Sequence, residues 1–351
     1  MLSSIPKPVL FGGVLAAVIA VVLFLRTGGT RKTEMQLAQE AVADRDFGTA
    51  IQLFEQHIAR HPDSAEAHLL AARAARRGGQ DEVAEQHLAA YEKAGGDRQS
   101  IELEREMRRS QNGDVSNSHS VMNFVKENPD SPFATAMMEA LAQGLMTARQ
   151  PQPAIKAIDL LLAREASPAD RAEWLCWRGE MLMGIARGTE AAIDLRAAIA
   201  LREDHARARL AIITYLSREE PVEAMSHLEW LERHGHREPA VRLELARCQR
   251  HLGELSAAAA VIDELLAARP DDAAVLTEAG AIDMARGRLP DAERHLRKAI
   301  KLKPNGYEQT SMLARCLQEL GRETEAAEWL EKTKKIEADI QRRLEGQKGK
   351  S

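Results

Sequence analysis

A period of 34 residues runs through the second half of the chain, and it limits the folds that the chain can adopt. Three residue types share this spacing at constant mutual offsets: Gly253, Gly287 and Gly321; Ala258, Ala292 and Ala326; and Pro270 and Pro304. Because the offsets between the three types are kept, the pattern predicts one structural unit that is repeated along the chain. Such units bury their apolar faces by stacking on their neighbours rather than around a single core.

Each repeat is predicted to contain two helices joined by a turn. Across residues 273–287, apolar and small residues recur at helical spacing, and Gly287 tolerates the positive φ of a tight turn. Pro290 and Asp291 are residue types suited to the start of a second helix, which Pro304 then ends. Aromatic residues make up only 4% of the chain while Ala, Leu, Glu and Arg dominate, so the predicted fold class is all-α.

The repeat resembles the tetratricopeptide repeat, a helix-turn-helix unit of 34 residues. Small residues at Gly280, Ala292 and Ala299, bulky Leu296, and Pro304 stand where the pattern of that family has the same residue types. The resemblance implies a right-handed α-solenoid of about nine repeats. In such a solenoid the first helices line a concave groove and the second helices form the convex wall.

The register of the repeats divides the chain into five parts. They are an N-terminal membrane anchor with its flank (1–30), repeats one and two (31–98), a degenerate third repeat (99–134), repeats four to nine (135–340) and a polar tail (341–351). The sixth repeat is assigned to start at His205. The charged stretch after the ninth turn is expected to be a terminal cap with a polar outer face.

The N-terminal part contains an uncharged run, Val9 to Leu25, that would span roughly 25 Å as a helix. This length nearly matches the ~30 Å hydrocarbon core of a bilayer. A cleaved signal peptide is the alternative, but the run is long for one and no A-x-A site follows it. We therefore expect a single-pass anchor, in the inner membrane of a bacterium. Arg26, Arg31 and Lys32 follow the run and Lys7 precedes it, so the positive-inside rule favours cytoplasmic repeats, while the opposite orientation stays open.

Charge and motifs predict neither a nucleic-acid-binding protein nor an enzyme. The net charge is -5, whereas nucleic-acid-binding proteins are usually basic, and the cations of the basic stretch 285–304 are expected to face water. The chain contains no nucleotide-binding glycine loop, no HExxH and no GxSxG, so no catalytic site and no cofactor are predicted.

Histidines, cysteines and tryptophans each leave a second interpretation. His57 and His61 could share a helical face as two metal ligands, but no third ligand is evident, so surface histidines are favoured. The three cysteines, Cys176, Cys248 and Cys316, are widely spaced and are expected to be unpaired thiols. Trp174 and Trp177 could stack on a ligand, although packing within the array is the favoured interpretation.

The concave groove is the candidate binding site that the resemblance implies. The residues at the family's concave positions that could bind a partner are Arg73, Arg76, Arg77, Arg209, Arg247, Arg250, His251 and Arg315. Their guanidinium groups could bind carboxylates of a peptide or of a partner's tail, or they could simply be solvated. Met35 and Gln39 replace the Lys and Asn of chaperone-binding relatives, which argues against a chaperone tail as the ligand.

Two functions follow from these features. The first is a membrane-tethered, non-catalytic scaffold that binds a protein or peptide partner in its concave groove, and the sequence does not predict its oligomeric state. The alternative is a bacterial envelope-assembly or export adaptor with its repeats outside the cytoplasm. An enzyme is the least favoured class, because no catalytic residues are recognised and few residues lie outside the repeats.

Overall fold

The computed structural model describes residues 32–128, 130–131 and 133–348, with side chains described up to residue 342. All regular secondary structure in these residues is α-helical, which confirms the predicted fold class. The helices are α1 Glu34–Ala43, α2 Phe47–Arg60, α3 Ala65–Arg77, α4 Asp81–Lys93, α5 Arg98–Gln111, α6 Ser118–Glu127, α7 Ala134–Thr147, α8 Pro151–Leu162, α9 Pro168–Gly184, α10 Gly188–Leu201, α11 Ala206–Glu219, α12 Pro221–Arg233, α13 Pro239–His251, α14 Leu255–Ala268, α15 Ala273–Ala285, α16 Leu289–Leu302, α17 Tyr307–Glu319 and α18 Glu323–Lys348.

The helices pack as the repeat pattern predicts. The two helices of a repeat lie against each other, as α3 does against α4 and α15 against α16. A second helix also contacts the first helix of the following repeat, as α16 contacts α17, and first helices contact one another, as α11 contacts α13. Each repeat therefore covers the apolar surface of its neighbour, which is the arrangement of an all-α helical-repeat protein.

Small residues allow the two helices of a repeat to approach closely. A Cβ atom at Gly280 on α15 would lie 2.6 Å from Cγ of Leu296 on α16, and one at Gly179 on α9 would lie 2.6 Å from Cγ of Leu195 on α10. Such distances are too short for any real side chain, so glycine is required while the leucine keeps its place. The predicted role of Gly280 and Leu296 is thereby confirmed.

The chain divides into two compact arrays, one ending at Asp170 and the other beginning at Arg171. In the N-terminal array, Phe54 of α2 is fully buried in a cluster with alanines of α3. In the C-terminal array, Leu296 of α16 and Leu313 of α17 are fully buried in a corresponding cluster. Each array thus has a hydrophobic core of its own.

The turns inside the repeats share one backbone feature. A residue with positive φ follows the first helix, either a glycine such as Gly287 (φ 72°) or a non-glycine residue such as Arg45 (φ 60°). The sixth repeat departs from this pattern, because only Glu220 separates α11 from α12 and its φ is -141°. As a result, α11 begins at Ala206, one residue later than the predicted start, and the His205 ring caps it by accepting a hydrogen bond from the Ala208 amide.

The degenerate third repeat also contains two helices, α5 and α6. Helix α5 packs against α7, where a Cβ atom at Gly144 would lie 1.9 Å from the carbonyl oxygen of Ser110. Because the backbones of α5 and α7 come this close, there is no room for a Cβ atom at position 144, and glycine is required there. Residues 99–134 therefore contain two helices, but α6 packs against α7 and has few contacts with α5, unlike the two helices of the other repeats named above.

The basic stretch 285–304 contains α16, and its charges are largely paired on the surface. Arg297 bonds to Glu293 and Glu325, and Lys298 lies 2.9 Å from Asp271. Neighbouring carboxylates thus offset the positive charge of these two side chains.

The predicted anchor at residues 9–25 lies outside the described residues. Among residues that the structure does describe, no helix has both the length and the apolar character needed to cross a membrane. The last helix, α18, extends over 26 residues and is strongly charged, as expected of a terminal cap.

Candidate protein-binding groove

Two of the predicted groove arginines in the N-terminal array form ion pairs with a neighbouring helix. Arg73 and Arg76 of α3 donate to opposite oxygens of Glu104 on α5, at 2.8 and 2.9 Å. Arg76 and Glu104 are only 3% and 2% exposed, and Arg76 also donates to the side chain of Gln111. A buried pair of this kind fixes α3 against α5 and leaves the guanidinium of Arg76 inaccessible to a partner.

The third predicted arginine of this array, Arg77, belongs to a larger cluster that we call the N-terminal clasp: Arg45, Arg77, Glu139 and Asp170. Arg45 donates to Glu139 at 2.5 Å and to Asp170 at 2.8 Å, while Arg77 donates to the same two carboxylates at 2.9 and 2.6 Å. The ring of Phe47 lies under both guanidinium groups, with its centroid 5.3 Å from Arg45 and 4.9 Å from Arg77. Each of the two carboxylates is therefore shared by both guanidinium groups.

The clasp joins parts of the chain that are distant in sequence. Arg45 is in the turn of the first repeat, Glu139 is on α7 of the fourth, and Asp170 is at the start of α9. Burial alone would raise the pKa of Glu139, but the charges of Arg45 and Arg77 outweigh it and lower that pKa to about 2. The carboxylate is therefore ionised at any physiological pH. This part of the array is held together across repeats by its own side chains.

The C-terminal array contains an open cavity of about 1030 Å³ along successive first helices. Its apolar surface comes mainly from Met183, Leu210, Ala211 and Tyr215. Its charged walls come from α9 (Glu180), α11 (Arg207, Arg218, Glu219), α13 (Glu244, Arg247, Arg250, His251) and α17 (Glu308). We call this cavity the C-terminal groove. Four arginines and four glutamates line it, so it is mixed in sign rather than basic.

Arg209 lies outside this groove because of the shifted register of the sixth repeat. Its guanidinium packs on Trp230 of α12, 4.4 Å from the ring centroid, and donates to Nδ1 of His227 at 2.9 Å. Arg207 and Arg218 of the same helix line the groove instead. Both were missed in the sequence, and the available signal was the turn at Glu220–Pro221, which lacks the glycine found in the following repeats.

Arg247 and Arg250 line the groove as predicted, and both already have carboxylate partners. Arg247 donates to Glu244 at 2.5 Å and lies 3.5 Å from Glu278, while Arg250 donates to Glu278 at 2.6 Å. Glu278 on α15 is only 2% exposed, so these arginines neutralise a buried charge. The two pairs stiffen the junction of α13 with α15 and leave only some donors of each guanidinium facing the groove.

His251 lies at the far end of the groove, and Arg315 lies beyond it in a smaller adjoining cavity that His251 also lines. Burial, together with the charge of Arg250, lowers the pKa of His251, so its ring is neutral at pH 7. Arg315 of α17 is largely exposed and lies 3.8 Å from Glu319, with a contact of 3.9 Å to the sulfur of Met284. Within the C-terminal array, the structure thus brings Arg247, Arg250, His251 and Arg315 together.

His57 and His61 of the first repeat have no third metal ligand near them among the described residues. The rings of His57 and His61 lie 4.7 Å apart, and within the described part of the chain no three metal-binding side chains converge. A second pair, His68 of α3 and His87 of α4, is half-buried with 3.3 Å between the Nδ1 atoms. Burial lowers the pKa of His87, the charge of His68 lowers it further, and Glu55 opposes the shift.

The cysteines and the tryptophan pair are part of the core. Trp174 and Trp177 are each 1% exposed, and the indole of Trp177 donates to Glu173, so packing is confirmed. The thiols of Cys176, Cys248 and Cys316 are free and buried, and burial raises the pKa of each. Buried thiols with raised pKa values are poor nucleophiles.

Paired helices, stacked repeats and a groove along the first helices define a helical-repeat protein of the solenoid class. Sequence profiles described as tetratricopeptide repeat match residues 35–98, 215–277 and 283–345, which together make up more than half of the chain. The chain belongs to the tetratricopeptide-repeat family, as its sequence pattern predicted. A search of curated proteins finds no match.

Two solved structures align with the chain at low sequence identity. The APC/C hetero-tetramer Cut9–Hcn1 aligns with a TM-score of 0.56 and 15% identity, over 81% of this chain and 55% of that one. PilW, described as a widely conserved type IV pilus biogenesis factor, aligns with a TM-score of 0.47 and 19% identity, over 57% of this chain and 91% of that one. At these identities the similarity shows the fold alone.

We predict that Glu139→Gln strongly destabilises the N-terminal array. The change removes one charge from a buried cluster and leaves two guanidinium groups facing one carboxylate, which costs about 3–5 kcal/mol in comparable cases. Urea unfolding followed by circular dichroism measures the free energy of unfolding. Glu102→Gln, which breaks only an exposed pair with Arg98 in the same array, is the matched control and should change it little. Equal stability of the two variants would contradict the structural role of the clasp.

We also predict that the protein loses stability as the pH falls below about 6.5, and that His87 contributes to this loss. Because the pKa of His87 is lowered in the folded state, the unfolded state binds more protons in this range. The contribution of His87 to the free energy of unfolding is fully present above the pKa that His87 has in the unfolded state. It declines as the pH falls towards the lower pKa that His87 has in the folded state. Urea unfolding at pH 7.5 and 5.5 should show a smaller pH effect for His87→Gln than for wild type. His119→Gln, at an exposed position, should retain the wild-type pH effect.

Proposed function

We propose that the protein is a non-catalytic scaffold that binds an extended segment of a protein partner in the C-terminal groove. The observation that carries this proposal is the open cavity of about 1030 Å³ along α9, α11 and α13, which combines an apolar floor with polar walls. Binding sites commonly have this composition, since apolar contacts supply affinity and a few polar groups fix orientation.

The apolar floor is suited to anchoring side chains of a partner. Leu210 is 38% exposed although it lies on a first helix, and Met183 and Tyr215 lie beside it in the cavity wall. Exposed apolar side chains at the centre of a concave surface favour a protein ligand, because a few such contacts supply most of the binding energy at interfaces.

The charged side chains in the groove walls are suited to selecting a matching partner rather than to attracting any molecule of one charge. Arg207 donates to both oxygens of Glu180, and Arg247 is paired with Glu244. These side chains are held in place, so a partner must match them or displace them. We propose that five residues bind the partner. Four were predicted from the sequence, Arg247, Arg250, His251 and Arg315, and the structure adds Arg218.

The membrane anchor remains part of the proposal. The support is the uncharged run from Val9 to Leu25, which is long enough to span most of a bilayer. Tethering would raise the effective concentration of the bound partner at the membrane without any additional contact. We propose that the repeats act as a membrane-attached scaffold.

A photo-crosslinking experiment tests the groove. With p-benzoylphenylalanine at position 210 in the full chain, we expect a discrete crosslinked partner, identified by mass spectrometry, whose crosslinked residues fall in one extended segment. Ile193 on α10 is 63% exposed and outside the groove, so the same probe at position 193 is the control and should not yield this product. Equal capture of the partner at both positions would refute the groove as the binding site.

Membrane attachment is tested by fractionation. We predict that the full chain sediments with membranes and resists extraction by alkaline carbonate, whereas a variant lacking residues 1–30 is released into the supernatant. Release of the full chain by carbonate would refute a spanning anchor. A reporter fused after Ser351 then shows on which side of the membrane the repeats lie, and activity only outside the cytoplasm would favour the envelope-adaptor alternative.

A further inference from the structure

The C-terminal groove continues into a smaller chamber of about 360 Å³ at its far end. Arg218, Arg250, His251 and Glu308 line both the main cavity and this chamber, so they stand at the boundary between the two. Ala281, Met284 and Met312 provide the apolar wall of the chamber, and Arg315 and Glu319 complete its rim.

A weak ion pair crosses the groove at this boundary. Nη2 of Arg218, in the last turn of α11, lies 3.7 Å from Oε1 of Glu308, in the first turn of α17. The separation is too long for a hydrogen bond, and the two side chains are 71% and 43% exposed. An exposed pair without a hydrogen bond contributes little to stability, so it can be opened at low cost.

The guanidinium groups around the chamber differ in the hydrogen bonds that they make to the rest of the protein. Arg250 donates to buried Glu278, whereas Arg218 makes no hydrogen bond to any residue that the structure describes. Among the described residues, the polar contacts of Arg315 are the sulfur of Met284 and the carboxylate of Glu319 at 3.8 Å. Since each guanidinium carries five N–H donors, most donors of Arg218 and Arg315 are unused by the described residues.

The hydrogen-bond donors left unused around the chamber favour an acidic ligand. Arg250 is already paired with buried Glu278 and the ring of His251 is neutral, so the groups that remain are Arg218 and Arg315, which face Glu308 and Glu319. Arg218 and Arg315 are also more exposed than these carboxylates. Both guanidinium groups can therefore form a charge-assisted hydrogen bond to an incoming carboxylate.

We infer that Glu308 occupies, in the unbound protein, the place of an acidic side chain of the partner. The partner segment is acidic, and one of its carboxylates displaces Glu308 from Arg218 and binds between Arg218 and Arg315. This inference rests on the proposed function, because it assumes that a partner segment lies in the C-terminal groove. Glu308 sits at the N-terminal end of α17, where the helix dipole stabilises its charge after it has left Arg218.

Three model peptides test the inference on the full chain in detergent. They are GLEGLEGLEG, GLQGLQGLQG and GLKGLKGLKG, acetylated, amidated and carrying one neutral fluorophore, so that their side chains differ only in charge and length. Fluorescence anisotropy at low salt gives the dissociation constants. We expect the Glu peptide to bind about tenfold more tightly than either of the others, as loss of a charge-assisted hydrogen bond predicts.

Substitutions at Arg218 and Glu308 show whether the peptide carboxylate displaces Glu308 or is merely attracted by the arginines. Glu308→Gln should strengthen binding of the Glu peptide about threefold, the size expected on removing a weak competing pair, and leave the Gln peptide unchanged. Arg218→Gln should weaken the Glu peptide about tenfold. Arg294→Gln, at an exposed arginine of α16 that pairs with Asp291, is the control and should leave all three constants unchanged.

The outcomes distinguish this inference from the proposed function. Tightest binding of the Lys peptide, equal binding of all three, or binding of none would overturn the inference. So would a weaker Glu-peptide complex with Glu308→Gln. Specific crosslinking at position 210 would still support the scaffold function in each of these cases. A repeat with non-amidated peptides shows whether a terminal carboxylate binds in the same way as a side chain.

Discussion

The close approach of a small residue on one helix to a bulky residue on its partner is the contact on which the rest of the structure depends. Gly280 against Leu296 and Gly179 against Leu195 bring the two helix backbones of a repeat together. Only then can the next repeat pack on both helices and bury their apolar faces. Because each repeat contacts mainly its neighbours, this contact between a small and a bulky residue must recur in successive repeats. The sequence therefore repeats these residue types every 34 residues.

Arginines on the first helices have two different roles in the two arrays. In the N-terminal array they bond to buried Glu104 and Glu139, and a residue in the first repeat is bound to one in the fourth. In the C-terminal array the pairs join adjacent first helices and leave an open groove beside them. An arginine-rich inner face is therefore not a binding site by itself. The position of the carboxylates decides whether the guanidinium groups are available to a partner.

The fold could be predicted because its determinants are local. Turn glycines, small residues and helix-ending prolines lie within one repeat, and Gly287 and Pro304 mark a turn and a helix end as expected. The sixth repeat shows the limit of this approach. A turn reduced to Glu220 shifts α11 by one residue, which turns Arg209 away from the groove and brings Arg207 and Arg218 into it. A rotation of about 100° per residue makes such a shift decisive for which side chains face a ligand.

The sequence by itself determined the all-α class and the repeat, and it placed Arg247 and Arg250 on the groove but missed Arg207 and Arg218. Only the tertiary structure decided which arginines are engaged. The carboxylates that bind Arg45 lie 94 and 125 residues further along the chain, and Glu308 meets Arg218 from three repeats away. No periodicity encodes these pairs, because they depend on how the small rotations between successive repeats add up. Ion pairs between distant repeats therefore depend on the folded structure, whereas the repeat is determined by the local amino-acid sequence.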